Sequence, residues 1–153
     1  MDTVKDIYIQ KCRNFSSIDE ESFQKIIDLR DKSKGDKIYD DQKIDKESHH
    51  LLIYLKEILV AYARLWPPPP PPPNTKEDIS LQRFSVSKEY RNKGVAKNLM
   101  EFIFQVQNEK FIDSSLILTS REYTKEFYEK FGFVVYKKNI EEKKIRFYMR
   151  KTK

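Results

Sequence analysis

A strand, a basic turn, an amphipathic helix and a second strand follow one another between Ile79 and Thr119, and this succession constrains the fold most. Ile79–Val86 reads as a strand. The helix spans residues 94–110, with Val95, Leu99, Phe102, Ile103 and Val106 on one stripe. A short buried strand is predicted at 115–119. Such a crossover requires a parallel pair of strands.

Antiparallel signals surround that unit. Residues 50–56 and Ile58–Trp66 are dense in Leu, Ile, Val and Tyr and meet at Lys56-Glu57, a hairpin signature. Tyr62, Arg64 and Trp66 fall on one face of the second arm. Residues 133–136 and 145–151 read as a last pair of strands, and residues 4–9 as a first one. Ser17 and Glu20 have capping-box spacing, and Phe23, Ile26, Ile27 and Arg30 recur helically, predicting a helix over about 18–31. Residues 31–48 read as a polar loop with one short helical turn. Residues 123–131 read as a short helix with Gly132 at its C-cap. The sum is an α/β chain with a mixed central sheet of about six or seven strands and about four helices.

The 153 residues suffice for one domain, taken as 1–153, and not for two. Residues 67–73 are an unbroken proline run and contain every proline of the chain. Such a run cannot pair in a sheet and forms a stiff polyproline II segment. It reads as a low-complexity insertion in a hairpin loop or as a docking segment for an SH3-type domain.

The only cysteine, Cys12, excludes an intrachain disulfide and fits a reducing compartment, as a small buried residue or as a reactive thiol. No apolar run approaches a membrane span, and the first residues lack an apolar signal core, so a cytoplasmic protein is expected. The net charge of +6 favours an anionic partner, although solvated lysines account for it as well.

Residues 86–96, Val-Ser-Lys-Glu-Tyr-Arg-Asn-Lys-Gly-Val-Ala, carry the chemistry. A helix that starts at Gly94 exposes backbone N–H groups at the positive end of its dipole. Gly94 and Ala96 permit close approach, and Arg91 and Lys93 add charge, so a pyrophosphate suits the place. The segment is neither a Walker loop nor a three-glycine dinucleotide fingerprint. Three glycines in the whole chain also argue against a Rossmann domain.

The run from Arg91 to Ala96 resembles the GNAT acetyltransferase pattern Arg/Gln-x-x-Gly-x-Gly/Ala, directly after the strand where that superfamily places it. Phe127-Tyr128-Glu129-Lys130-Phe131-Gly132-Phe133 resembles the second GNAT signature, a helix ending in Phe-Tyr-x-x-x-Gly-Phe. The run from Leu59 to Leu65, with His50-Leu51-Leu52 before it, is similar to the ElaA-like branch. The resemblance covers roughly residues 20–150. Departures are a shorter loop at 30–48 without that branch's Val-Phe-x-x-Glu-Gln run, the proline insertion, Ser120-Arg121 in place of Ala-Gln, and Ile145-Arg146-Phe147 in place of Pro-His-Ile.

The resemblance implies a GNAT fold and an acetyl-CoA-dependent N-acetyltransferase that needs no metal. It implies that Phe84, Ser85 and Val86 offer backbone groups to the pantetheine arm and acetyl carbonyl. Arg91, Lys93, Gly94, Val95, Ala96, Lys97 and Asn98 would wrap the pyrophosphate. Tyr128 would protonate the leaving thiolate, or else serve only as a packing aromatic. The fourth strand holds no carboxylate past Asp78, which leaves Glu122 and His50 as candidate bases. A homodimer is expected by resemblance alone.

For the acceptor, Arg64, Arg83, Arg121 and Arg146, with His50, are expected around the cleft. Guanidinium groups favour a phosphate or carboxylate, so the expected substrate is a small anionic amine, with D-glucosamine 6-phosphate foremost. Pairing of these arginines with the chain's own acids is the competing account. Protein N-termini, lysines and amino acids remain alternative acceptors. A non-catalytic acetyl-CoA sensor and a nucleic-acid-binding module are the readings from other classes. No RNP-like strand supports the last, and neither nucleic acid nor membrane is the expected partner.

Overall fold

The computed structural model describes residues 7–33, 42–67 and 78–152. Residues 68–73 of the proline run, 34–41 of the polar loop and the start of the expected first strand lie outside them. The described elements are β1 (Tyr8–Asn14), α1 (Glu20–Ser33), α2 (Gln42–Glu47), β2 (His49–Leu55), β3 (Ile58–Trp66), β4 (Ile79–Val86), α3 (Val95–Lys110), β5 (Leu116–Arg121), α4 (Lys125–Glu129), β6 (Val134–Glu141) and β7 (Lys144–Lys151). Short 3-10 turns precede α1, α3 and α4. The seven strands form one sheet in the order β1-β2-β3-β4-β5-β7-β6. Every pair is antiparallel except β4 with β5, the parallel pair that the crossover helix α3 requires.

Strand alternation splits the core between two faces. Leu51, Ile53, Ala61, Ala63 and Leu65 join Val95, Leu99, Met100, Ile103 and Val106 of α3 on one face. Leu52, Leu59 and Tyr62 meet Ile26 and Leu29 of α1 on the other. Val60 is an extra residue of β3 opposite the step from Ile53 to Tyr54, and this bulge lets Leu59 and Ala61 serve opposite faces.

The structure moves several expected boundaries. The first strand runs Tyr8–Asn14 because its whole length pairs with β2, from Tyr8 opposite Leu55 to Asn14 opposite His49. It is an edge strand, so its polar residues face water. The cap of α1 is Asp19, whose carboxylate accepts the Ser22 N–H at 2.7 Å; Ser17 instead closes the preceding 3-10 turn. That backbone bond holds the Asp19 carboxyl below the usual range. The final strands are longer than expected and turn at Glu142 and Lys143, both with positive φ, a two-residue hairpin made without glycine. Cys12 is half-buried on β1, where burial pushes its thiol up. Among the described residues no helix is long and apolar enough to cross a membrane.

Candidate active site

The parallel pair opens into a cleft. β4 and β5 pair only at Ile79 with Leu116 and Ser80 with Ile117, yet β4 continues to Val86 and β5 to Arg121. The carboxyl ends of parallel strands at such an opening are where α/β sheets place ligands. A bulge in β4 accompanies the divergence. Tyr62 faces Ser85 and Arg64 faces Gln82, so Arg83 and Phe84 together oppose Ala63 alone. Arg83 sits at φ 58°, a left-handed backbone that a residue with a Cβ rarely adopts.

Beyond β4 the chain makes the basic turn. Asn92 has φ 61° and Gly94 φ 82°. Gly94 is the N-cap of α3 with no side-chain cap, and a Cβ there would meet nothing within 4 Å. The first-turn N–H groups of α3 thus receive no side-chain cap from Gly94. Arg91, Lys93 and Lys97 are exposed around them. Arg91 Nε donates to the Val86 carbonyl at 3.2 Å, and Lys93 lies over the Tyr90 ring. Val95 is buried under the turn, Ala96 is half-buried, and Asn98 Oδ1 accepts from Gln10 of β1 at 2.9 Å.

Aromatic rings close the other side. Phe84 of β4 reaches Phe127 at 5.6 Å and Tyr128 at 6.1 Å between centroids, and Tyr128 also stands edge-on to Phe133 at 5.8 Å. Burial pushes the Tyr128 phenol up to about 12, so at neutral pH it holds its proton. Ser85 is buried and donates to the Arg83 carbonyl at 3.1 Å; Phe84 and Val86 are half-buried.

Two expected acceptor residues lie elsewhere. Arg64 is 3% exposed and His50 0%. Arg64 donates to Asp45 Oδ1 at 2.9 Å and to Gln82 Oε1 at 2.8 Å. His50 Nε2 faces the Asp45 carbonyl at 2.8 Å, and a carbonyl only accepts, so Nε2 carries the proton. Its Nδ1 then accepts from the Tyr62 hydroxyl at 2.5 Å. Burial lowers the imidazole's pKa, and no lone pair remains for a substrate. Arg64 and His50 are thus framework, not acceptor contacts, and His50 is not a base.

Sequence reasoning did not single out the hub of this framework. Asp45 of α2 is 3% exposed and also accepts both Nη atoms of Arg30, at 2.9 and 3.3 Å. An acid in a polar stretch gives no sign that it will be buried. Gln82 was equally silent, one polar side chain on a strand.

The remaining arginines lie on β4, at the end of β5 and on β7 beside it. Arg121 ends β5 directly opposite Arg146 of β7, and Asn139 of β6 is next in the row. Residues opposite each other in an antiparallel pair share a face. Arg83, Arg121 and Arg146 are half-buried, and Glu122 is exposed just after β5. Among the described residues no group of three or more His, Cys, Asp or Glu is arranged to hold a metal ion.

Solved structures share this architecture. An acyl-CoA N-acyltransferase from Pseudomonas aeruginosa superposes with a TM-score of 0.80 at 20% identity, over 95% of this chain and 100% of that one. Escherichia coli ElaA gives 0.80 at 19%, over 95% and 100%. A GNAT family acetyltransferase from Elizabethkingia anophelis, solved with acetyl-CoA bound, gives 0.71 at 12%, over 97% and 100%. At these identities the likeness shows the fold. No curated protein matches the sequence. The family model described as an acetyltransferase (GNAT) domain matches residues 19–153, and with it the chain belongs to the GNAT family of acetyl-CoA N-acetyltransferases.

Proposed function

We propose that this protein acetylates a small primary amine that carries an anionic group, an amino-sugar phosphate such as D-glucosamine 6-phosphate. The observation that carries the acceptor reading is Arg121 standing opposite Arg146 at the mouth of the cleft. Two guanidinium groups on one face suit a dianion, which each can grip through paired N–H donors. They would repel a polyamine or a lysine-rich tail. Arg83, at the bulge, completes the acceptor set in this reading.

The cofactor reading follows the cleft. The acetyl-CoA pyrophosphate rests on the N–H groups of Val95 and Ala96 beyond Gly94, with Arg91, Lys93, Lys97 and Asn98 around it. The pantetheine arm runs along the backbone of Phe84, Ser85 and Val86. The amine nitrogen attacks the thioester carbon, a C–N bond forms, and the carbonyl oxygen bears negative charge while the carbon is tetrahedral. Collapse breaks the C–S bond. The nitrogen's proton leaves to water or to Glu122, and Tyr128 donates its phenolic hydrogen to the departing thiolate. The protein in this reading is a homodimer, which Val134 and Ile140 support, 66% and 64% exposed on the edge strand β6.

Release of free thiol from acetyl-CoA tests the reading, with glucosamine 6-phosphate, glucosamine, spermidine and a lysine peptide as acceptors. A clear advantage in kcat/KM for the phosphorylated sugar over glucosamine is expected. Preference for the peptide or for spermidine would replace the small anionic amine with a cationic acceptor.

A further inference from the structure

The bulge that carries the proposed thioester contacts is a strained segment between two side-chain clamps. Arg83 holds φ 58°, and such a conformation persists only where its surroundings over-determine it. One clamp follows it, the Ser85 hydroxyl on the Arg83 carbonyl. The other precedes it, Gln82 Oε1 accepting from Arg64 Nε at 2.8 Å.

The second clamp is anchored deep in the molecule. Arg64 cannot swing, because its Nη1 is bonded to Asp45 Oδ1 at 2.9 Å and its side chain is 4% exposed. Asp45 is in turn tied to Arg30 of α1. Its helix α2 is fixed again by Trp66 Nε1 on Glu47 at 3.1 Å and by His50 on the Asp45 carbonyl. A continuous chain of hydrogen bonds thus runs from α1 and α2, through β3, to the residue just before the bulge. Arg64 can serve both ends because its Nε and Nη1 point along different edges of one rigid plane, which a lysine cannot copy.

We propose that Gln82 and Arg64 are positioning residues. Through them Asp45 holds the β4 bulge in the register that aims the Phe84 and Ser85 backbone groups at the acetyl group. This inference rests on the proposed use of that backbone by acetyl-CoA. It makes the buried ion cluster part of substrate discrimination rather than of stability alone, since the contacts it aims distinguish acetyl-CoA from free coenzyme A.

The test uses the full chain and two ligands, acetyl-CoA and coenzyme A, with affinities from calorimetry. Gln82→Met keeps the side-chain length and removes the acceptor of Arg64. Gln82→Glu restores an acceptor oxygen. Ser85→Ala loosens the other clamp and needs no buried change at Arg64. Backbone amide shifts of residues 83–85, measured without ligand, report the bulge itself. In Gln82→Met those shifts should move, and the preference for acetyl-CoA over coenzyme A should fall by roughly tenfold, about the worth of one hydrogen bond to a charged group. Gln82→Glu should restore both, and Ser85→Ala should reproduce the loss. If Gln82→Met and Ser85→Ala keep wild-type shifts and wild-type preference, the inference is overturned while the acetyl-CoA site stands. If Gln82→Met does not fold, Arg64→Lys decides in its place, since it keeps a cation beside Asp45 and removes the Nε–H that Gln82 accepts: wild-type shifts and wild-type preference in it overturn the inference. Wild type that binds no acetyl-CoA would sink the cofactor reading and this inference together.

Discussion

The ring of Phe84 meets that of Tyr128 edge to face with 6.1 Å between centroids, and this contact bridges the gap where β4 has parted from β5. The strand that carries the bulge is thereby packed against the helix that carries the phenol. Burial of the Tyr128 ring, which also packs on Phe127 and Phe133, raises the phenol's pKa.

Removing only the hydroxyl separates chemistry from packing. Tyr128→Phe keeps the ring contacts to Phe84, Phe127 and Phe133, so melting temperature and acetyl-CoA affinity should stay near wild type. General-acid help is commonly worth about 10²–10⁴ in rate. A phenol at about 12 is a weaker acid than an alkyl thiol, so its proton transfer to the thiolate is uphill and helps less than that of a matched acid. The expected loss in kcat is therefore near the lower end, about a hundredfold. Unchanged kcat where chemistry limits turnover would leave Tyr128 a packing residue. Phenol ionisation should cause no fall in wild-type activity up to about pH 10, where an unperturbed tyrosine would be half ionised.

Charge at the start of α3 tests the pyrophosphate site. Gly94 has open space around it, so a side chain meets no clash, but at φ 82° any L-residue pays for the left-handed backbone. Gly94→Ala carries that strain alone. Gly94→Glu adds a carboxylate where the helix end would hold an anion. Acetyl-CoA affinity should fall at least about tenfold further in Gly94→Glu than in Gly94→Ala, read by calorimetry. Equal affinities in the two variants would move the pyrophosphate elsewhere.

The sequence made some of this legible and hid the rest for physical reasons. The crossover unit was plain because its periods, two and then 3.6, are written in apolar residues, and one parallel pair follows from it. The hairpin at Lys56-Glu57 was equally plain. Burial of polar residues was not. Arg64 looks like any strand arginine facing solvent, and only its meeting with Asp45, from an element nineteen residues away, turns it inward. The β4 bulge was also invisible, because a residue at positive φ usually advertises itself as glycine or asparagine and here it is Arg83. Capping was misread by two residues, since Ser17 and Asp19 are both good caps and only the chain's path chooses between them.

Acid should weaken the fold through its histidines. Burial is the first cause that lowers the pKa of both His49 and His50 below the ordinary 6.5. The unfolded chain therefore binds more protons than the folded one once the pH drops below that value. Stability is full above about 6.5 and declines as the pH falls toward the folded-state values. Around His50 stand Asp45, which favours the proton, and Arg64 and Arg30, which oppose it. The melting temperature of wild type should drop on going from about pH 8 to about pH 5, and His50→Gln should flatten part of that slope. A wild-type curve that is level across this range would mean that neither ring is held neutral by the fold.

The facing arginines tie stability to specificity in opposite directions. Arg121 and Arg146 are direct partners on β5 and β7, and like charges so placed cost an antiparallel pair a few tenths of a kcal/mol to about 1 kcal/mol. An anion between them reverses the sign, because it pairs with two guanidinium groups that are already in place and desolvated in part. Arg146→Ala should accordingly leave the free protein as stable as wild type or slightly more so. The same change should raise KM for glucosamine 6-phosphate by about tenfold or more, with little effect on unphosphorylated glucosamine. Inorganic phosphate gives an independent reading, since it should raise the melting temperature of wild type by mass action and do so less in Arg146→Ala. Added salt should erode the advantage of the phosphorylated amine, as expected for a contact at the mouth of a cleft. If Arg146→Ala and Arg121→Ala both leave the ratio of kcat/KM between the two amines unchanged, the pair does not read the substrate's anion and the acceptor must be sought among neutral amines.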